Sequence, residues 1–399
     1  MENLIAVDGK GMPLGEALLY SDPCGAPFVE VFRERIDPAI SGNAVEPLMT
    51  ALKLVWLREN EPEYYRNAEK FLPGSKDYVA YKLTGKFVTD PTCAATTGLM
   101  DLARRDWSAA LLSMFGIDRG QLPVIMPAAT VIGTLGEAAA ELLHLAPGIP
   151  VINGCGDGGA TTVGSGADKA DDISLYLGTT GWVARVASLE QSAAPRPFYR
   201  LPHPLTNDII EIAPILSAGA AAEWARNAVG IDLSNADVLA GAADLSPGGA
   251  LFLPYLHGER SPFVDLAVRA AFLNVSASDG PGELYYAALE GVAFAINANV
   301  EAMGGRGGGS VSLVGGGALS SVWPQIIADV LKAPVTRPLS PVNATSFGAF
   351  RIALRALGHE DARTSFSVAA IPRPERRDRL IRQQKLFETG TNFVRTLKL

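Results

Sequence analysis

A lone aspartate between two glycine-rich turns is the part of this chain best equipped for chemistry. Residues 149–166 read IPVINGCGDGGATTVGSG and residues 173–181 read ISLYLGTTG. The apolar run Ile149 to Ile152 predicts a strand that delivers Asp157 into a turn built by Gly154, Gly156, Gly158 and Gly159. A second β-rich run, Ile173 to Leu177, ends in Gly178, Thr179, Thr180 and Gly181. Glycine lets a backbone approach a ligand closely, and successive free N–H groups in such turns form anion-binding concavities. A carboxylate beside a phosphate cradle suits phosphoryl transfer, in which a base orients a hydroxyl while loops hold the phosphates.

The same stretch matches a second pattern. Gly154, Gly156 and Gly159 satisfy G-x-G-x-x-G after a predicted strand, which alone is a weak signal for a dinucleotide such as NAD. That reading needs a helix directly after the glycines and an acidic residue ending the next strand, about 20 residues on. Here Asp171 and Asp172 precede a strand instead of ending one, and an aspartate sits among the glycines. An NAD-dependent oxidoreductase is therefore the weaker reading.

The elements around these turns read as α/β. Strand-like runs (IPVIN, ISLYL, VARVA, DIIEIAPIL, ALFLPYL, SVSLV) alternate with helical ones, including a long helix from about Glu283 to Met303 and another over Trp323 to Leu331. The first part is more helical: ALKLVWLREN stops near Pro62 and SAALLSMF ends at Gly116. A boundary near Asp168 to Ala170, where small and charged residues separate the two glycine turns, would place a cleft between domains, a common ligand site.

Composition excludes several classes. The 399 residues are 48% apolar, enough for sizeable cores, and length alone suggests two or three domains. A net charge of −8 with 19% charged residues offers no sustained basic face, so nucleic acid is not an expected partner. The three cysteines, Cys24, Cys93 and Cys155, are scattered, against a disulfide framework or zinc site and in favour of a reducing, cytoplasmic setting. His144, His203 and His359 show no metal spacing. No signal-peptide pattern and no apolar run near 18 residues is found, so no membrane partner is expected.

From about Leu18 to the C-terminal helix, the chain resembles the FGGY family of carbohydrate kinases, and within it the xylulokinases. The segment LKLVWLREN (Leu52 to Asn60) resembles the first family signature, apart from Leu48, and ELYYAALE (Glu283 to Glu290) fits the second, with Asn274 standing where that signature has a glycine. DYVAYKLTGKFVTDPTCAATTGLMD, HGERSP and LVGGGALSS resemble further family segments. The resemblance implies a two-domain actin-like ATPase (ribonuclease H-like) fold. It divides the chain into an N-terminal, sugar-side domain over 1–168 and a C-terminal, nucleotide-side domain over 169–399. The implied activity is ATP-dependent phosphorylation of a sugar or polyol hydroxyl, with Mg²⁺ bridging the phosphates and no protein-held metal. A homodimer is a candidate assembly. Family members open with a D-x-G-T turn and a Q-M-H-G segment, and neither pattern is found here, so the resemblance implies an incomplete N-terminal domain and impaired turnover. Asp8 and Gly9 in VDGKGMP read instead as a hairpin turn. A catalytically silent pseudokinase binding sugar or nucleotide stays open as an alternative.

The resemblance assigns Asp157 as catalytic base and sugar contact, and Thr179 and Thr180 as phosphate contacts. Gly316, Gly317 and Ser321 would form the adenosine turn, and Gly219 and Glu223 would border the nucleotide. Asp22 stands where the family carries a W-x-D sugar aspartate, with Tyr20 at the tryptophan position. Each has a plainer reading: a turn aspartate, a packed hairpin, a strand-to-helix turn, small-residue helix packing. Asp77 could cap the helix around Tyr78 to Leu83, and His257 with Arg260 could hold a turn by a salt bridge.

Overall fold

The computed structural model describes residues 2–190, 198–245 and 247–397. Its backbone contacts divide the chain into two units, each discontinuous in sequence. The first comprises Met1–Gly164, Ala187–Ile210 and Thr345–Ala362; the second comprises Ser165–Val186, Glu211–Ala344 and Arg363–Leu399.

The first unit opens with an antiparallel ribbon, Glu2–Val7 against Lys70–Gly74, in which Ile5 faces Leu72. The turn at Asp8 is of the expected reversing kind. Its carboxylate accepts the N–H groups of Lys10 and Met12, both at 2.8 Å, and the chain returns with Leu18 bridged to Leu4. Gly11, at φ +70°, takes the left-handed position. Helix Thr50–Asn60 ends two residues before Pro62, and Ala109–Phe115 ends at left-handed Gly116, as their breakers predict.

Strand Pro150–Ile152 pairs antiparallel with Val131–Thr134 and leads into helix Asp157–Gly164. The turn is shorter than its glycines suggest, because Gly158 and Gly159 lie in the first turn of the helix. Their function there is close packing. A Cβ on Gly159 would meet Pro204 Cγ at 3.0 Å and Thr92 Cγ2 at 3.1 Å. A Cβ on Gly348, in helix Ala344–Ala356, would fall 1.8 Å from the carbonyl oxygen of Ala160.

The second unit is built on a twisted mixed sheet. Neighbouring strands include, in order, Ile209–Ile215, Gly181–Ala187, Ile173–Leu177, Val311–Val314, Val335–Pro338 and Phe366–Ala370. Ile173–Leu177 and Val311–Val314 are parallel, with Tyr176 beside Val314, and both are buried nearly throughout, as central strands covered on two faces must be. The long helix Pro281–Ala302 is buried over most of its length. Gly291 costs this helix about 1 kcal/mol relative to alanine, yet a Cβ there would lie 2.0 Å from the Phe252 carbonyl oxygen. The terminal helix Arg377–Thr396 is tied down by Arg379 on buried Glu290, and the residue pair Asp244 and Asp329 is bridged by Arg373 just before it.

This topology removes the dinucleotide reading. A helix does follow the glycines directly, as that reading requires. However, Pro150–Ile152 belongs to a two-stranded ribbon and Ile173–Leu177 to a different sheet, so no parallel strand–helix–strand unit surrounds the motif. The acidic residues are engaged as well. Asp172 accepts hydrogen bonds from the N–H groups of Asp168, Lys169 and Ser310, and Asp171 pairs with Arg185 at 2.5 Å.

The contact at Gly348 is testable. Gly348→Ala should destabilise the protein by more than about 2 kcal/mol, the scale of overpacking against an immobile backbone. A thermal midpoint equal to that of the parent would show that the two helices do not meet there.

Candidate functional site

The residues expected to hold a nucleotide converge on one end of the second unit's sheet. Leu177 faces Gly181 across the antiparallel pair, so residues 178–180 form a hairpin tip, closed by the Gly178 N–H donating to the Thr180 carbonyl at 2.9 Å. The tip seats the start of helix Gly219–Ala228. Gly219 N–H donates to the Gly178 carbonyl at 2.8 Å, and Ala220 N–H donates to the Thr179 carbonyl at 2.9 Å. A Cβ on Gly219 would lie 2.4 Å from that Gly178 oxygen, which explains the glycine without a ligand. Glu223 is exposed one turn along the helix. Thr179 and Thr180 are exposed, and among the described residues their hydroxyls and N–H groups engage no protein acceptor. Those donors are free for an anion.

The parallel neighbour ends in the second turn. Gly315 has φ +88°, and a Cβ there would sit 2.6 Å from the Leu177 carbonyl. Gly317 is closed in by Leu177 Cβ at 2.7 Å. Gly316 differs: nothing lies within 4 Å of the position its Cβ would take. Two of the three glycines are thus required by packing, and the middle one presents an open face. Ser321 donates its N–H and its hydroxyl to Asp237, at 2.6 and 3.1 Å, and Ser320 donates to the other oxygen. Ser321 therefore fixes the turn to helix Leu233–Leu245, a role the sequence reading missed.

Asp157, in the first unit, is the first residue of its helix and is exposed, where a carboxylate is favoured by the helix dipole. The peptide before it is fixed at both ends. Gly156 N–H donates to Thr92 Oγ1 at 2.8 Å, and the Gly156 carbonyl accepts from Ala160 N–H at 3.0 Å. Asp22, partly buried, accepts the Cys24 N–H at 2.9 Å in a local turn. That loop is anchored by the almost fully buried Lys53, whose ammonium donates to the Leu19 carbonyl.

Asp77 does not cap its helix, which runs Ser75–Thr84 with Gly74 at the cap. It is buried, 2.7 Å from the Lys76 ammonium, and accepts the Thr89 hydroxyl at 2.9 Å. Burial pushes its carboxyl up to about 6. Burial acts to lower the Lys76 ammonium, but the carboxylates of Asp90 and Asp77 overcome this and raise it above the usual lysine range. Asp77, Asp90 and Cys93 are the one group of three metal-type ligands among the described residues. With Lys76 at 2.7 and 3.3 Å from the two carboxylates, a cation already stands against them, and the group does not fit a divalent ion.

In HGERSP the turn is organised by Glu259, which the sequence reading passed over. Its buried carboxylate accepts the N–H groups of Leu216 at 3.2 Å and Arg260 at 2.9 Å, while His257 Nδ1 lies 3.1 Å from Ser217 Oγ. Asn274, the departure from the family glycine, has φ +54°, a backbone region that asparagine tolerates better than most residues, and it donates to the Gly249 carbonyl at 3.0 Å.

Comparison with known proteins places this geometry. The description "FGGY family of carbohydrate kinases, N-terminal domain" matches residues 1–164, and its C-terminal counterpart matches residues 180–357. A xylulose kinase of Escherichia coli K12 is 34% identical over 337 residues, 83% of this chain and 69% of that enzyme. One from Klebsiella pneumoniae is 29% identical, over 91% of this chain and 75% of that enzyme. A crystal structure described as a xyloylose kinase from Brucella ovis superposes with a TM-score of 0.88 at 29% identity, over 100% of this chain and 84% of that one. The fold is the two-domain actin-like ATPase fold. Among the described residues, no helix is long and apolar enough to cross a membrane.

Glu259 makes the stability of this chain depend on pH. Burial raises its carboxyl from the ordinary value of 4.5 to about 7. The folded state therefore holds a proton that the unfolded chain releases, and this contribution is complete below pH 4.5 and is lost as pH rises through 7. The loss amounts to about 3 kcal/mol at most. Urea unfolding should show stability declining between pH 5 and 7.5, with a flatter decline in Glu259→Gln. Equal slopes in the two proteins would exclude a proton on Glu259.

Proposed function

The chain belongs to the FGGY family of carbohydrate kinases, and from that premise we propose that it phosphorylates a ketopentose of the xylulose type, with Asp157 as general base. The pair of glycine turns at one end of the parallel strands Ile173–Leu177 and Val311–Val314 carries this reading. One turn offers unpartnered donors on Thr179 and Thr180, and the other an open face at Gly316. Ligands of open α/β sheets bind beyond the carboxyl ends of such strands. The ketopentose assignment is supported by relatives named xylulose kinases.

In this reading the Thr179–Thr180 turn binds the ATP phosphates, Gly316 and Gly317 underlie the adenosine, and Gly219 and Glu223 border it. Ser321 acts indirectly, by holding the turn to Asp237. FGGY kinases use ATP with a divalent metal. Mg²⁺ would arrive on the nucleotide, where it offsets phosphate charge; no side-chain cage is assigned to it. Asp157 accepts the proton of the attacking sugar hydroxyl, and Asp22 contacts the sugar. Because phosphoryl transfer depends on positioning and charge stabilisation, the turns and the base must hold both reactants in line.

Asp157→Asn keeps the side-chain shape but cannot take up the proton. It should lower turnover by about 100-fold or more, the usual scale for a general base. A coupled ADP-release assay across ketoses, aldoses, polyols and aldonates reads both this loss and the preferred substrate. Near-normal turnover in the folded variant would remove Asp157 from the mechanism.

Gly316→Val adds a branched side chain to the open face, where nothing lies within 4 Å of the added Cβ. Its thermal midpoint should match the parent's while ATP binding weakens by tenfold or more, on the order of the cost of a lost contact surface, and sugar binding is kept. Unchanged ATP affinity by calorimetry would place the nucleotide elsewhere.

A further inference from the structure

We infer that Thr92 is a positioning residue for Asp157, acting through the Gly156 peptide and anchored by the buried Lys76–Asp90 ion pair. The inference rests on the reading of Asp157 as the base.

The geometry leaves the Thr92 hydroxyl only one orientation. Asp90 Oδ2 can only accept, and it lies 2.5 Å from Thr92 Oγ1 and 2.8 Å from Thr92 N. The Gly156 N–H can only donate, and it lies 2.8 Å from the same Oγ1. The hydroxyl proton therefore points at Asp90 and a lone pair points at Gly156. Asp90 cannot shift to meet a changed partner, because it is fully buried and its other oxygen lies 3.3 Å from the Lys76 ammonium. Lys76 also donates to the Asn153 carbonyl at 3.3 Å, and Asn153 Nδ2 donates to the carbonyls of Thr89 and Met126 at 3.0 and 2.7 Å. One charge cluster thus grips the segment 153–156 at both of its ends, and the next residue is Asp157.

The space around the relay is equally restricted. A Cβ on Gly156 would lie 3.2 Å from Thr92 Oγ1, so the peptide and the hydroxyl are in direct contact with no room for water between them. Removing the hydroxyl leaves the Gly156 N–H without its acceptor and frees the start of the helix to rotate. A misplacement of about 1 Å at a reacting group can cost about 100-fold in rate.

The test uses the full chain. Thr92→Val keeps the shape and removes the acceptor; it should lower kcat about tenfold or more, as expected for a misplaced base, with KM for ATP within twofold of the parent. Thr92→Ser keeps the hydroxyl and should restore kcat. Hydrogen exchange over residues 153–160 should speed up in the valine variant and not in the serine variant. Introduced into Asp157→Asn, Thr92→Val should cost little more, because residues acting through one group are not additive. A folded Thr92→Val enzyme with kcat within twofold of the parent overturns the inference. So does a penalty that persists in full without the Asp157 carboxylate. If Asp157→Asn itself keeps turnover, the base assignment fails, and the relay is then judged by exchange alone: unchanged exchange in Thr92→Val refutes it.

Discussion

The carboxyl end of strand Ile173–Leu177 has no room for side chains on its neighbours, and the second unit is arranged around that constraint. Gly219 approaches the Gly178 carbonyl, Gly315 approaches the Leu177 carbonyl, and Gly317 approaches Leu177 Cβ, each closer than any Cβ tolerates. A helix start and a neighbouring strand end are thereby drawn onto a single turn. Their backbone groups satisfy one another, as the Gly219 and Ala220 N–H groups do with the Gly178 and Thr179 carbonyls. Among the described residues, the N–H groups of Thr179 and Thr180 at the exposed tip are left without a protein acceptor. The same packing that builds the turn leaves donors facing outward.

The first unit positions its key residue differently, with charge instead of close approach. Lys76, Asp77 and Asp90 are removed from water, where an ion pair gains little net stability over apolar packing but is costly to break. Such a cluster is poorly suited to strengthening a fold. It is well suited to fixing where its hydrogen-bond partners lie, because an unmade hydrogen bond is costly in a dry interior. Thr89, Thr92 and Asn153 supply those partners, and Asn153 and Gly156 flank the turn that ends at Asp157.

Much of this was legible in the sequence where a local rule decides. The helices Thr50–Asn60, Pro281–Ala302 and Trp323–Leu331 follow apolar runs bounded by proline or glycine, and the glycine turns lie where the sequence puts them. Errors arose where a residue serves a partner distant in sequence. Gly158 and Gly159 look like turn formers but pack a helix against Thr92 and Pro204. Asp77 resembles a cap yet is an ion-pair member, and the bond from Ser321 to Asp237 has no local signal. Thr92 did carry a local signal, since Asp90-Pro91-Thr92 reads as a helix cap with proline at the first position, and the side chain does accept the Thr92 N–H. Nothing local indicates that the threonine's hydroxyl reaches Gly156, 64 residues on.

The buried carboxylates also set a tension between stability and chemistry. Burial raises Glu259 to about 7 and Asp77 to about 6, so the folded chain gives up part of its stability as these groups ionise near neutral pH. A general base, by contrast, works only when ionised, and Asp157, the base in the proposed function, stands exposed at a helix start while the groups around it stay buried. Burial would fix a carboxylate more firmly, but desolvation favours its protonated form, as it does at Glu259. A rigid, dry scaffold carrying a wet carboxylate one peptide away reconciles the two, and it makes the Gly156 peptide the element through which position passes from one to the other.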